Sequence, residues 1–182
     1  MENTELQQLM LSTAKGDEKA FRQLAQAVGQ GAYGLAYRLL NGDTASAEDA
    51  VQEMLIKLWQ TAPRWEPKGS VKSYVYRLTY TTCMDKLRKN KPVTELTEDF
   101  GTPETATNQI FTKQRQDHIY EALNKLPERQ RSAVVLTYLQ EMPQKDVADT
   151  LGTSVKAVES LLIRAKQALR QTTAREWIGD VS

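Results

Sequence analysis

The sequence predicts an all-α protein made of two small helical domains joined by a flexible linker, the C-terminal domain being a helix-turn-helix. Three observations carry that prediction. Apolar residues recur three and four apart over long stretches, which is the period of one helix face. Glycine and proline are sparse, nine and six among 182 residues. Between two periodic regions lies PVTELTEDFGTPETATNQIFTKQ, residues 92–114, with two prolines, six threonines and little helical period. That composition reads as a flexible acidic linker.

Residues 4–14 and 17–28 read as amphipathic helices broken at Gly16-Asp17, where Asp17 caps the second. Residues 31–40 form a third helix, closed by the turn Asn41-Gly42-Asp43. A longer helix over about 46–61 buries Val51, Met54, Leu55 and Leu58. Pro63 and Pro67-Lys68-Gly69 interrupt it, and Ser70 caps another helix to about 90. The first domain is therefore 1–91. Beyond the linker, 115–182 forms the second, with Pro127 and Pro143 each opening a helix.

Composition excludes several function classes. Hydrophobic residues make up 40% and charged residues 26%, an ordinary soluble balance. No apolar run approaches the roughly 20 residues that cross a bilayer, so no direct membrane insertion is expected. MENTELQQLM lacks the basic segment and apolar stretch of a secretory signal, which points to a cytoplasmic protein. A single cysteine, Cys83, rules out an internal disulfide framework and a cysteine-rich zinc site, and reads as a small buried hydrophobe. One histidine, His118, leaves little for histidine-dependent catalysis. No catalytic residue, metal or cofactor is expected, and a helical metalloenzyme is the weakest reading.

The net charge of +1 conceals a pattern. Residues 1–63 carry −3, 64–91 carry +6, 92–114 carry −3 and 115–182 carry +1. Within the last block, 154–175 hold five basic residues and one acid. Two separated basic segments suit two contacts with a polyanion, or else two solvated helix faces.

The strongest local signal runs from Gln144 to Val158. Ala148 is small enough for two helices to approach, Gly152 takes the tight turn, and Val158 plugs the angle between them. Ser154 is placed to cap the second helix, whose exposed positions would be Lys156, Ala157, Glu159, Ser160, Ile163 and Arg164. Such a helix enters a major groove with its N-terminal half on base edges and its cations on phosphates.

Taken in order, these features resemble the extracytoplasmic-function (group IV) sigma factors of bacterial RNA polymerase. Gly16-Asp17-Glu18-Lys19-Ala20-Phe21 looks like the family's opening helix. Ala47-Glu48-Asp49-Ala50-Val51-Gln52-Glu53 followed by Leu58-Trp59 looks like its core-binding helix. Ser73-Tyr74-Val75-Tyr76-Arg77-Leu78 through Asp85-Lys86-Leu87-Arg88 looks like its promoter-melting helix. Leu126-Pro127-Glu128-Arg129-Gln130-Arg131 and the helix-turn-helix ending Arg164-Ala165-Lys166 look like its second DNA-binding domain.

The resemblance implies an initiation factor without catalysis of its own. The first domain would dock on core polymerase and melt the −10 element, and the second would read the −35 element. Asp49, Gln52 and Glu53 would meet a basic coiled-coil surface on the clamp of the largest subunit, with Ile56 as an apolar anchor. The C-terminal domain would reach the flap region. A membrane-linked anti-sigma factor would hold the chain inactive, and no obligate homo-oligomer is implied. The chain would be nucleoid-associated when active.

Residues 64–91 interleave aromatics with cations, which suits unpaired DNA because rings stack on bases while cations follow the backbone. The −10 candidates are Trp65, Lys68, Lys72, Tyr74, Arg77, Thr81, Arg88, Lys89 and Lys91. Some tyrosines must instead be core, since Tyr76, Tyr80, Cys83 and Leu87 form one stripe. The −35 candidates are Ser154, Lys156, Ala157, Glu159, Ser160, Ile163, Arg164 and Lys166. Tyr74 stands where the family usually has tryptophan, and Thr81 where it usually has asparagine. Glu159 is able to accept from a cytosine amine, while Leu161 reads as buried. The competing reading is a helix-turn-helix repressor or activator whose first domain dimerises or binds a ligand.

Overall fold

The computed structural model of the chain describes residues 1–67, 69–90 and 121–179, and all regular structure among them is helical. The first half holds α1 (Asn3–Ala14), α2 (Glu18–Leu39), α3 (Thr44–Thr61) and α4 (Val71–Asn90), with a 3-10 turn at Ala62–Arg64. The second half holds α5 (Glu128–Val134), a π-helical stretch (Val135–Leu139), α6 (Gln144–Leu151) and α7 (Val155–Gly179). The expected linker 92–114 lies outside the described residues, as do Lys68, Lys91 and His118.

Side-chain caps set the helix starts. The Asp17 carboxylate accepts from the Lys19 and Ala20 amides at 2.9 and 3.1 Å and begins α2. Asp43 accepts from the Ser46 amide at 3.1 Å and from the Ser46 hydroxyl at 2.6 Å, starting α3 slightly earlier than its apolar stripe suggests. Those bonds hold the Asp43 carboxyl below the usual carboxylate range. The preceding turn uses left-handed backbone at Asn41 and Gly42, φ 58° and 81°.

One expectation is corrected. The segments 17–28 and 31–40 are not two helices but one continuous α2. Gly29, Gly31 and Gly34 weaken helix propensity there, by about 1 kcal/mol each relative to alanine. Burial of Val28, Ala32, Leu35 and Leu39 on one face outweighs that deficit.

Two apolar clusters organise the molecule. The first lies within the first half, where Leu6, Leu24, Met54, Leu58, Val71 and Val75 are fully or almost fully buried. Each such side chain contributes roughly 1.5–3 kcal/mol of burial. The second cluster belongs to both halves: Leu35, Leu39, Tyr76 and Cys83 join Leu126, Val135, Leu136 and Leu162. Helix α4 thus serves two cores, presenting Val71 and Val75 to the first and Tyr76, Tyr80, Cys83 and Leu87 to the second. Contacts of α2 with α5 and of α4 with α6 close the two halves on each other.

Candidate functional site

The first candidate surface is on α3. Asp49, Gln52, Glu53 and Ile56 fall at i, i+3, i+4 and i+7, so they share one side of the helix. Ala47, Ala50, Met54 and Leu58 face the interior. Ile56 is 58% exposed, Asp49 and Gln52 are exposed, and Glu53 is half-buried. Lys57 Nζ lies 2.9 Å from Glu53 Oε1 and donates to Thr82 Oγ1 at 3.0 Å. From α4, Lys86 Nζ lies 3.8 Å from Asp49 and 3.9 Å from Glu53. The bond from Lys57, more than any other influence, holds the Glu53 carboxyl below its usual range. Beside Ile56, an apolar groove is lined by Phe21, Leu55 and Trp59, the two rings meeting edge to face at 5.1 Å.

The second surface is a cleft of about 510 Å3 where the loop before α4 meets its first turns. Trp65, Tyr74 and Arg77, three of the −10 candidates, line it. The Tyr74 hydroxyl donates to Thr61 Oγ1 at 2.7 Å, and the Arg77 guanidinium sits 5.5 Å from the Tyr74 ring centroid. Arg64, Ser70 and Ser73 line the same cleft and were missed by the sequence reading. Arg64 was legible as the cation beside Trp65, whereas the Thr61–Tyr74 bond crosses a loop and left no sequence signal. Thr81 is exposed and its hydroxyl donates back to the Arg77 and Leu78 carbonyls. Arg88 and Lys89 are exposed at the far end of α4, Arg88 beside Asp85 at 3.5 Å. Lys72 is exposed and borders a different cavity, between α2 and the end of the π-helical stretch. Across the first cleft stand Asp146, Asp149 and Thr150 of α6, so the second half supplies one of its walls.

The third surface is the helix-turn-helix. Ala148 and Val158 are buried and Gly152 is left-handed, φ 60°. The Thr153 amide donates to the Ala148 carbonyl at 2.9 Å and the Gly152 amide to that of Asp149, the pattern that closes a helix on a left-handed glycine. Ser154 Oγ accepts from the Ala157 amide at 3.2 Å and caps α7. Lys156, Glu159, Ser160, Ile163, Arg164 and Lys166 are exposed, Ala157 and Leu161 half-buried. Ser160 and Arg164 donate to carbonyls one turn back, of Lys156 and Ser160. Lys166 Nζ lies 5.1 Å from the Tyr138 ring centroid.

Loss of solvent pushes the Cys83 thiol up to about 12, which makes it a poor nucleophile. Among the described residues, no three His, Cys, Asp or Glu side chains gather where a metal ion would be held. No described helix is long and apolar enough to cross a membrane.

Comparison with known proteins assigns both halves. Residues 24–93 match the family model for Sigma-70 region 2, and residues 116–169 that for Sigma-70, region 4. The ECF RNA polymerase sigma factor SigW of Bacillus subtilis is 25% identical over 173 residues, covering 86% of this chain and 90% of that protein. The ECF RNA polymerase sigma factor SigM of Mycobacterium tuberculosis is 30% identical over 164 residues, covering 89% and 81%. The fold is similar to that of the sigma factor RpoE from Bartonella quintana, solved in complex with the anti-sigma factor NepR. That similarity has a TM-score of 0.65 and 22% identity, over 84% of this chain and 96% of that one. The chain belongs to the extracytoplasmic-function (ECF) sigma factors of RNA polymerase, within the sigma-70 family.

Proposed function

We propose that this chain is an alternative sigma factor that docks on core RNA polymerase through the exposed face of α3. Asp49, Gln52 and Glu53 meet a basic surface on the clamp of the largest subunit, and Ile56 adds an apolar contact. The observation that carries this assignment is the separation of faces on α3, with the polar and apolar candidates out and Ala47, Ala50, Met54 and Leu58 in. The cleft at Trp65, Tyr74 and Arg77, continued along α4 to Arg88 and Lys89, receives the −10 strand. Unstacking costs a few kcal/mol per base, and ring stacking with cation contacts offsets it. The exposed face of α7 reads the −35 duplex. The second half also reaches the flap region, and synthesis is left to the polymerase, which acts in the cytoplasm.

Control by a membrane-linked anti-sigma factor fits a chain whose two halves share a core, because one partner is then able to hold both. The test is promoter binding by the purified chain with and without core polymerase. Weak binding alone and a footprint over both elements with core present is the expected result. Tight, specific duplex binding at a palindromic site by the chain alone would point to the repressor reading instead.

A further inference from the structure

We propose that Lys86 is an exchangeable internal counter-ion for the docking carboxylates, neutralising Asp49 and Glu53 while α3 is free and yielding them to the cations of core polymerase on docking. The proposal rests on the α3 docking reading. It starts from the unequal geometry of two lysines. Lys57 Nζ is fixed between Glu53 Oε1 at 2.9 Å and Thr82 Oγ1 at 3.0 Å, with Asp85 at 4.0 Å. Lys86 Nζ stands 3.8 Å from Asp49 Oδ2 and 3.9 Å from Glu53 Oε2. Charge-assisted hydrogen bonds between such groups run at about 2.7–2.9 Å. Lys57 therefore orients Glu53, while Lys86 shields both carboxylates without consuming their lone pairs.

Burial gives the direction of exchange. The Lys86 side chain is 23% exposed, against 40% for Glu53 and 71% for Asp49. Lys86 is the most covered of the three side chains and Asp49 the most open to an approaching partner. Lys57 and Lys86 beside Asp49 and Glu53 offset their negative charge, which weakens attraction to any cation but a well-placed one. Lys86 also sits on the helix that carries Arg77 and Arg88, so both halves of the proposed function converge on it.

The experiment is core polymerase affinity of the full chain, by fluorescence anisotropy, at low and high salt. Lys86→Gln is expected to tighten binding about two- to fivefold at low salt. The gain should shrink as salt screens the exposed charges, and Lys86→Arg should bind like the wild type. Lys86→Met keeps the buried stem and carries the same expectation if the amide disturbs folding. Unchanged or weaker binding by these neutral variants, with unfolding temperature preserved, would overturn the proposal. Asp49→Arg/Glu53→Arg separates the two levels. If that variant binds like the wild type, the docking reading itself fails. If it loses binding while the neutral Lys86 variants show no gain, only the counter-ion role fails.

Discussion

The Arg131 guanidinium on α5 donates through Nη1 to the side-chain oxygen of Asn41, in the turn between α2 and α3. Arg131 is buried and also donates to Asn124 at 3.3 Å, and burial lowers its pKa. A cation of the second half is thus held partly by a neutral group of the first. Asn41→Asp puts a carboxylate against the guanidinium at a left-handed position that aspartate tolerates, and should tighten the closed packing. Arg131→Met removes the cation and should loosen it while helical content persists. Small-angle scattering, with circular dichroism as the control, checks both: a larger radius for Arg131→Met and none for Asn41→Asp.

Close approach of α2 and α4 explains one helical glycine. A Cβ on Gly31 would lie 2.6 Å from the Tyr76 hydroxyl oxygen, with the next ring atoms at 3.3 and 3.4 Å. Gly31→Ala should therefore cost about 1–3 kcal/mol in urea denaturation despite the better helix former. In a Tyr76→Phe background the 2.6 Å contact is gone and only the ring contacts at 3.3 and 3.4 Å remain, so the same substitution should cost less than about 1 kcal/mol. Equal effects in both backgrounds would show that the contact does not set the glycine.

Asp146 and Asp149 wall the cleft that the proposed −10 strand enters. Two carboxylates beside Arg64 and Arg77 oppose a phosphate backbone. Asp146→Asn/Asp149→Asn should raise affinity of the free chain for a single-stranded −10 oligonucleotide several-fold at low salt. With core polymerase and full promoter DNA the difference should shrink, because the halves then occupy separate elements. Titration of labelled oligonucleotide in both settings checks this.

Much of the fold was legible because its signals are local. Asp17 and Ser154 cap the helices they precede, and Ala148, Gly152 and Val158 mark the helix-turn-helix by spacing alone. What stayed hidden depends on distant residues. The glycines of α2 suggested a break because the packing that holds the helix straight, including the seat of Tyr76, comes from elsewhere in the chain. The Tyr76–Tyr80–Cys83–Leu87 stripe was visible, but not that the second half covers it. That Asp49 and Glu53 share a face was legible from their spacing, whereas their neighbour Lys86 comes from another helix and no period connects them.

The central claim is docking of this sigma factor through α3, and run-off transcription with purified bacterial core polymerase tests it most directly. Templates come from the neighbourhood of the protein's own gene. The wild-type chain should give discrete transcripts, and Asp49→Arg/Glu53→Arg should lose them while remaining folded by circular dichroism. Undiminished transcripts from the double variant, or none from the wild type alongside tight duplex binding without polymerase, would contradict the account.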